Sequence, residues 1–240
     1  ARIRRSAHLT LNPFESKRWS DPVELLKHDQ KRVEKVKGLA DGEWELALRQ
    51  GLATWGPADA APSLRPVFLA GSDAHGSFNY SVGMSWDYRR RLVVDDDALG
   101  KVRTVVHLPE AYTDTIPPEA DILAAMRKGS CVVTDGPIVT FSVEQQGKTA
   151  GLGEVLNAAG GKDIALHIQA FSTPEFGPVE KVELVTCFRP RRKPAKTILQ
   201  KGDTVKIQLD GSQGYCRLFA QTAGPDGELF CCFTNPIWIR

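Results

Sequence analysis

Asp73 and His75 stand two residues apart in Gly71-Ser72-Asp73-Ala74-His75-Gly76, directly after the apolar run Val67-Phe68-Leu69-Ala70. In extended backbone, side chains at i and i+2 point to one side. A carboxylate and an imidazole therefore converge just past the end of an expected strand. A hard oxygen beside an imidazole nitrogen is a ligand pair for zinc, manganese or iron. In α/β proteins such sites collect at strand C-terminal ends. Two ligands fall short of the three or four protein donors of a zinc site. Spacing alone leaves a second reading open, with Asp73 capping the turn and His75 a hydrogen-bonded loop residue.

The other chemistry-bearing residues are scattered. His8, His28, His107 and His167 are isolated from one another. His8 reads as a strand residue with a hydrogen bond. His107 lies near the end of a strand expected at 102–108. His167 alternates with Leu166 and Ile168, so it is expected on the surface. Gly147-Lys148-Thr149 lacks the upstream glycine of a phosphate-binding loop, and Gly71-Ser72-Asp73 is not a nucleophile elbow. No catalytic residue is identifiable. Arg189, Arg191, Arg192 and Lys193 read as a solvated hairpin loop, without the interleaved aromatics of a nucleic-acid surface. The five cysteines, Cys131, Cys187, Cys216, Cys231 and Cys232, form no C-x-x-C pair. They sit in apolar runs and read as buried core residues.

These residues need elements to position them. Asp21-Pro22-Val23-Glu24 combines an N-cap, a proline at the first helical position and a glutamate three residues after the cap. The helix it starts is expected to reach about Lys37, and a second to run over 43–49 and stop at Gly51. The strand 67–70 precedes Asp73, residues 77–100 read as loop, and a strand covers 102–108. A helix over 120–128, closed by Gly129, leads to a strand at 131–133. Beyond Pro137 the pattern changes to strands: 138–144, then segments centred on Leu166, Leu184, Ile207 and Leu218, then 229–233 and 237–239. Short spacing and Gly/Pro/Asp turns imply an antiparallel sandwich there. The chain is thus expected to divide into an α/β part, 1–137, and an all-β part, 138–240.

The 240 residues are 42% hydrophobic and 25% charged with a net charge of +2, ordinary for a globular protein. No bulk field argues for nucleic acid or membrane binding. No apolar run is long enough to span a bilayer, and no signal peptide is visible. The absent initiator methionine leaves room for a removed N-terminal region, so cytoplasmic and exported locations both stay open.

Three stretches follow one another in a familiar order: Gly71 to Gly76; then Arg103-Thr104-Val105-Val106; then Ile122 through Arg127-Lys128-Gly129 to Val132-Val133-Thr134-Asp135-Gly136-Pro137. The chain closes on Thr234-Asn235-Pro236-Ile237-Trp238. This order resembles the C-terminal portion of polymerase-and-histidinol-phosphatase (PHP) domain metallohydrolases, nearest to the carbaryl-hydrolase-like (CehA/McbA) branch. The match covers about 65–137 and the tail; residues 1–64 match poorly. The resemblance implies α/β architecture, a partial distorted β/α barrel followed by an antiparallel β-sandwich. It implies a metal-dependent hydrolase of phosphoester, ester or carbamate bonds acting on a small-molecule substrate. Asp73 and His75 would bind divalent zinc, manganese or iron, and Arg103 would bind a substrate anion, with a surface salt bridge as its alternative. The family's N-terminal H-x-H is absent, so those ligands are expected from an N-terminal half or a second copy. The alternative function is a catalytically incomplete binding module whose sandwich engages a partner chain or carbohydrate.

Overall fold

In a computed structural model the described residues are 33–34, 37–55, 64–71, 83–86, 92–95, 102–108, 112, 115–158, 163–179, 181–189, 193–200, 205–208, 213–225 and 227–240. Asp73, His75, His8, His28 and the helix start at Asp21 lie outside them.

A π-helical turn, Ala40–Trp44, runs directly into α1, Glu45–Ala53. Strands β1, Gly83–Trp86, and β2, Leu92–Asp95, pair antiparallel with each other. Then come β3, Arg103–Val106; α2, Glu119–Lys128; β4, Cys131–Thr134; β5, Ile138–Gln145; β6, Lys148–Ala150; and β7, Val155–Leu156. The remainder is strand: β8, Asp163–Phe171; β9, Lys181–Phe188; β10, Ala195–Gln200; β11, Val205–Gln208; β12, Gly214–Ala223; β13, Leu229–Thr234; and β14, Ile237–Ile239.

The reasons for α2 are local. Pro118 at the N-cap has ψ 143°, Glu119 and Asp121 lie in the first turn, and Arg127 and Lys128 lie in the last. Both charge sets complement the helix dipole. Gly129, at φ 86°, closes the helix in the left-handed conformation that ends many helices. Helix α1 departs from expectation, because it passes Gly51 and ends at Ala53. A Cβ at Gly51 would lie 2.7 Å from Pro66 Cδ and 2.9 Å from Leu64 O. This glycine permits a close crossing and does not stop the helix.

Eight strands form one sheet in the order β10-β9-β12-β13-β4-β3, with β14 joined to β12 and β7 joined to β14. Four strands form a second sheet in the order β11-β8-β5-β6. The pairing is antiparallel except for β14 with β7, where Trp238 meets Val155 and Ile239 meets Leu156. One face of the larger sheet packs on the smaller through Val132, Leu184, Leu218 and Ile237 against Val139, Phe141, Val143, Ile164 and Leu166. The other face packs under the helical layer. There Val133, Tyr215, Phe219, Phe233 and Trp238 meet Trp44, Leu48, Leu52 and Trp55.

The expected β/α barrel is not present, and the α/β fold class is corrected to a largely β, layered arrangement. Strands β3 and β4 flank a helix, yet they pair antiparallel with each other, and β4 pairs antiparallel with β13. Segment 67–70, read as a barrel strand, joins no ladder. The barrel was implied by the family resemblance, and the apolar run Cys131-Val132-Val133 is compatible with it. All four residues of β4 are buried, and a continuous run of that kind signals burial on both faces. Here the two covers are a helical layer and a second sheet. The larger sheet also takes strands from both sides of residue 137. Strands β1 and β2, within the 77–100 read as loop, and strands β6, β7 and β10 were not read from the sequence.

The cap of α2 sits against the loop after β6. Gly153 has φ 74°, and a Cβ there would lie 2.0 Å from Lys128 O and 2.8 Å from the Gly129 carbonyl carbon. Both the backbone conformation and the space exclude a side chain. Gly153→Ala is expected to lower the unfolding midpoint by at least about 1 kcal/mol equivalent in urea denaturation. An unchanged midpoint would show that the contact between the α2 cap and this loop is not maintained in solution.

Candidate functional site

The residues that carry the family resemblance are far apart in sequence, but their described parts meet around Phe68–Ala70. Asn235, 1% exposed, accepts a hydrogen bond at Oδ1 from Phe68 N at 2.7 Å and donates from Nδ2 to Phe68 O at 2.9 Å. The same Nδ2 reaches Cys131 O at 3.1 Å. Two residues along, Thr104 Oγ1 accepts from Ala70 N at 3.0 Å and donates to Ala70 O at 2.8 Å. Thr104 lies opposite Val133 of β4, and Thr234 lies opposite Val132. Strands β3, β4 and β13 thus form a floor on which the approach to Gly71 is tied down by two side chains. Phe68 fills the space above, stacked on Trp44 at 4.7 Å and edge-on to Phe233 at 6.3 Å.

The turn after β4 is braced as well. Asp135 Oδ1 accepts from Cys231 N at 2.6 Å, and Thr134 Oγ1 accepts from Gly136 N at 3.0 Å. Burial pushes the Cys131 thiol up to about 11, partly offset by the Asn235 amide. It is therefore a neutral packing group at physiological pH and a poor nucleophile. Arg103 is half-buried, and its guanidinium lies 5.9 Å from the centre of Phe176, which packs edge-on to Phe230 at 4.9 Å.

The densest set of ionisable groups lies elsewhere, between the helical layer and the larger sheet. Arg217 and Glu45 are each 1% exposed. Arg217 donates from Nε at 3.1 Å and from Nη2 at 2.8 Å to Glu45 Oε2, and from Nη2 at 3.1 Å to Asp41 Oδ1. The Tyr215 hydroxyl donates to Glu45 Oε1, so both carboxylate oxygens are engaged. The guanidinium also lies 4.8 Å from the Trp44 ring centre. Burial, then the Glu45 charge, drives the Tyr215 phenol far upward, and burial raises the Cys187 thiol. Glu45, Tyr215 and Arg217 are buried, whereas Asp41 is partly exposed and also pairs with the exposed Lys196. The network fastens α1 to β12.

Arg189, read as part of a solvated loop, is half-buried and caps α1. It donates to the carbonyls of Leu52 and Trp55 and to Gln213 Oε1. His167 is exposed as expected and lies 3.2 Å from Glu144. His107 is exposed and lines a cleft of about 540 Å³ with Tyr112, Asp121, Lys128, Ser130 and Glu154. There Tyr112 pairs with Asp121 and Lys128 with Glu154. Burial opposes the Glu154 charge, but the Gly151 N–H and Lys128 outweigh it and hold the carboxyl below its ordinary value. Among the described residues, no group of three or more His, Cys, Asp and Glu side chains is placed to hold a metal ion.

No family model, curated protein or solved structure matches this chain. Among the described residues, no helix is long and apolar enough to cross a membrane.

Sequence reasoning missed Glu45, Arg217 and Thr104. Arg217 had a readable signal, as a lone charge within the apolar run Tyr215-Cys216-Arg217-Leu218-Phe219-Ala220. A buried charge in such a run demands a buried partner. Arg217→Met alone is expected to cost about 3–5 kcal/mol, because Glu45 stays buried without its counter-ion. The double variant Glu45→Leu/Arg217→Met is expected to recover much of that loss in chemical denaturation. Equal losses in the single and double variants would contradict the pairing.

Proposed function

We propose that this chain forms part of a metal-dependent hydrolase of the PHP type, acting on phosphoester, ester or carbamate bonds. Asp73 and His75 serve as ligands to a divalent ion; the anion-binding role expected of Arg103 is not part of this reading. The reading takes the motif residues and not a barrel. The observation that supports it is the convergence of three resembling stretches on Phe68–Ala70. Thr104 from the second stretch and Asn235 from the tail bond this segment, which ends three residues before Asp73, and Cys131 from the third holds Asn235.

The donor set of Asp73 and His75, a hard oxygen and an imidazole, suits zinc, manganese or iron. The described residues hold no group of three or more candidate ligands of their own. A second copy or an upstream segment bearing an H-x-H would supply further ligands. When bound, such ions lower the pKa of a water and polarise the scissile bond. The described residues contribute by fixing Phe68–Ala70. Arg103 adjoins Thr104 on β3, and neighbours in a strand point to opposite faces, so its guanidinium lies beside Phe176 and away from Ala70.

A second reading is motivated by the lack of an H-x-H in the sequence. Under it the two sheets act as a non-catalytic module that engages a partner chain or a carbohydrate. Metal content and phosphodiesterase activity of the intact gene product separate the two. The hydrolase reading expects bound zinc, manganese or iron and turnover of a nitrophenyl phosphodiester, nitrophenyl ester or aryl carbamate, with both lost in Asp73→Ala and His75→Ala. Metal content and turnover unchanged in both variants would sink it. A metal-free, inactive protein would favour the binding module.

A further inference from the structure

Opposed residues in antiparallel strands share a face, so Ile198, Glu183 and Phe219 form one row across β10, β9 and β12. Lys181, two residues from Glu183 on β9, lies on the same face of the strand. Phe219 is buried in the cluster beneath the helical layer, whereas Ile198 is 50% exposed. The helices thus leave one end of this sheet face bare. There these four residues, with Lys37 and Leu229, line a cleft of about 340 Å³, within the range of small-molecule sites.

Glu183 is 6% exposed. Its Oε2 accepts from Lys37 Nζ at 2.6 Å. Its Oε1 is buried without a hydrogen-bond partner among the described residues. The Lys196 ammonium stands 3.8 Å from it, beyond hydrogen-bond reach, and is bound to Asp41. A buried acceptor left unmet is costly and calls for a donor. Lys37 is engaged twice, by Glu183 and by the Phe219 ring at 4.8 Å. Lys181 is exposed and has no ion-pair partner among the described residues. The cleft therefore joins an unmet acceptor, an unpaired cation and an apolar wall.

We propose that this cleft binds a free α-amino acid with an apolar side chain. Its ammonium meets Glu183, taking the place beside Oε1 that Lys196 approaches without bonding. Its carboxylate meets Lys181. The two residues stand about 7 Å apart along one face of the strand, so both charges of a single zwitterion are met together. The apolar side chain lies against Ile198 and Leu229 and removes their bare surface from water. A simple amine would leave Lys181 unpaired, and an apolar acid would leave Oε1 unmet.

Calorimetric titration of the intact protein with L-leucine and with L-phenylalanine tests this. At least one is expected to bind with a Kd of about 1 mM or tighter. Isocaproate and hydrocinnamate keep the carboxylate and the apolar body but lack the amine. They are expected to bind at least about tenfold more weakly. The same loss is expected for isoamylamine and phenethylamine, which lack the carboxylate. Lys181→Met, an exposed change that keeps the apolar stem, is expected to weaken amino-acid binding at least about tenfold and to leave the unfolding midpoint in place. No binding of either amino acid at about 10 mM overturns the proposal. So does amino-acid binding that Lys181→Met leaves unchanged, or that the deaminated acids match.

Discussion

The larger sheet is covered on both faces, and the rest of the molecule answers to that constraint. A strand buried on both sides cannot alternate polar and apolar residues, so β4, β12 and β13 are apolar nearly throughout. A polar side chain on such a sheet has no water to turn to and must find its partners inside the protein. Arg217 finds Glu45 and Asp41, Asn235 finds Phe68 and Cys131, and Asp135 finds the Cys231 amide. Each of these solutions ties the sheet to a segment distant in sequence. The polar residues of the sheet thus act as attachment points, and the apolar ones supply most of the stabilising burial.

That constraint also explains what could be read in the sequence. The strands of the smaller sheet alternate in burial, as in β5 with its strict half-buried and buried pattern, so period-two reasoning located β5 and β8. Helix α2 carried its own capping and charge signals and was placed within a residue. The strands of the larger sheet were visible as elements, but their partners were not. An apolar run such as Cys131-Val132-Val133 reports burial on two sides without reporting whether helices or a second sheet provide it. The barrel was implied by the family resemblance, and that ambiguous run with the helix beside it did not oppose it. Nothing local distinguishes it from the antiparallel arrangement, in which β13, a hundred residues later, is the neighbour.

The candidate site was legible only in part and for a related reason. Asp73 and His75 were singled out by their spacing and lie outside the described residues, and Arg103 was singled out by its place in an order of segments. Thr104 and Asn235, which hold Phe68 and Ala70, are commonplace types whose roles depend on what lies across the sheet. Arg189 shows the same limit in reverse. Its neighbours in sequence suggested a solvated loop, whereas its guanidinium fills the orphan carbonyls at the end of α1, the positions a helix leaves unsatisfied.

The reach of the Asn235 side chain has a bearing on how the protein is made. Its bonds to Phe68 close a span of 167 residues, and those of Arg217 to Glu45 and Asp41 close 172 and 176. Contacts of such separation slow folding, since loop entropy is lost before they form. A nascent chain that has exposed Gly71 to Gly76 still lacks the amide that anchors the segment before it. On the ribosome the segment Phe68–Ala70 therefore stays unanchored by Asn235 until 167 further residues have been made.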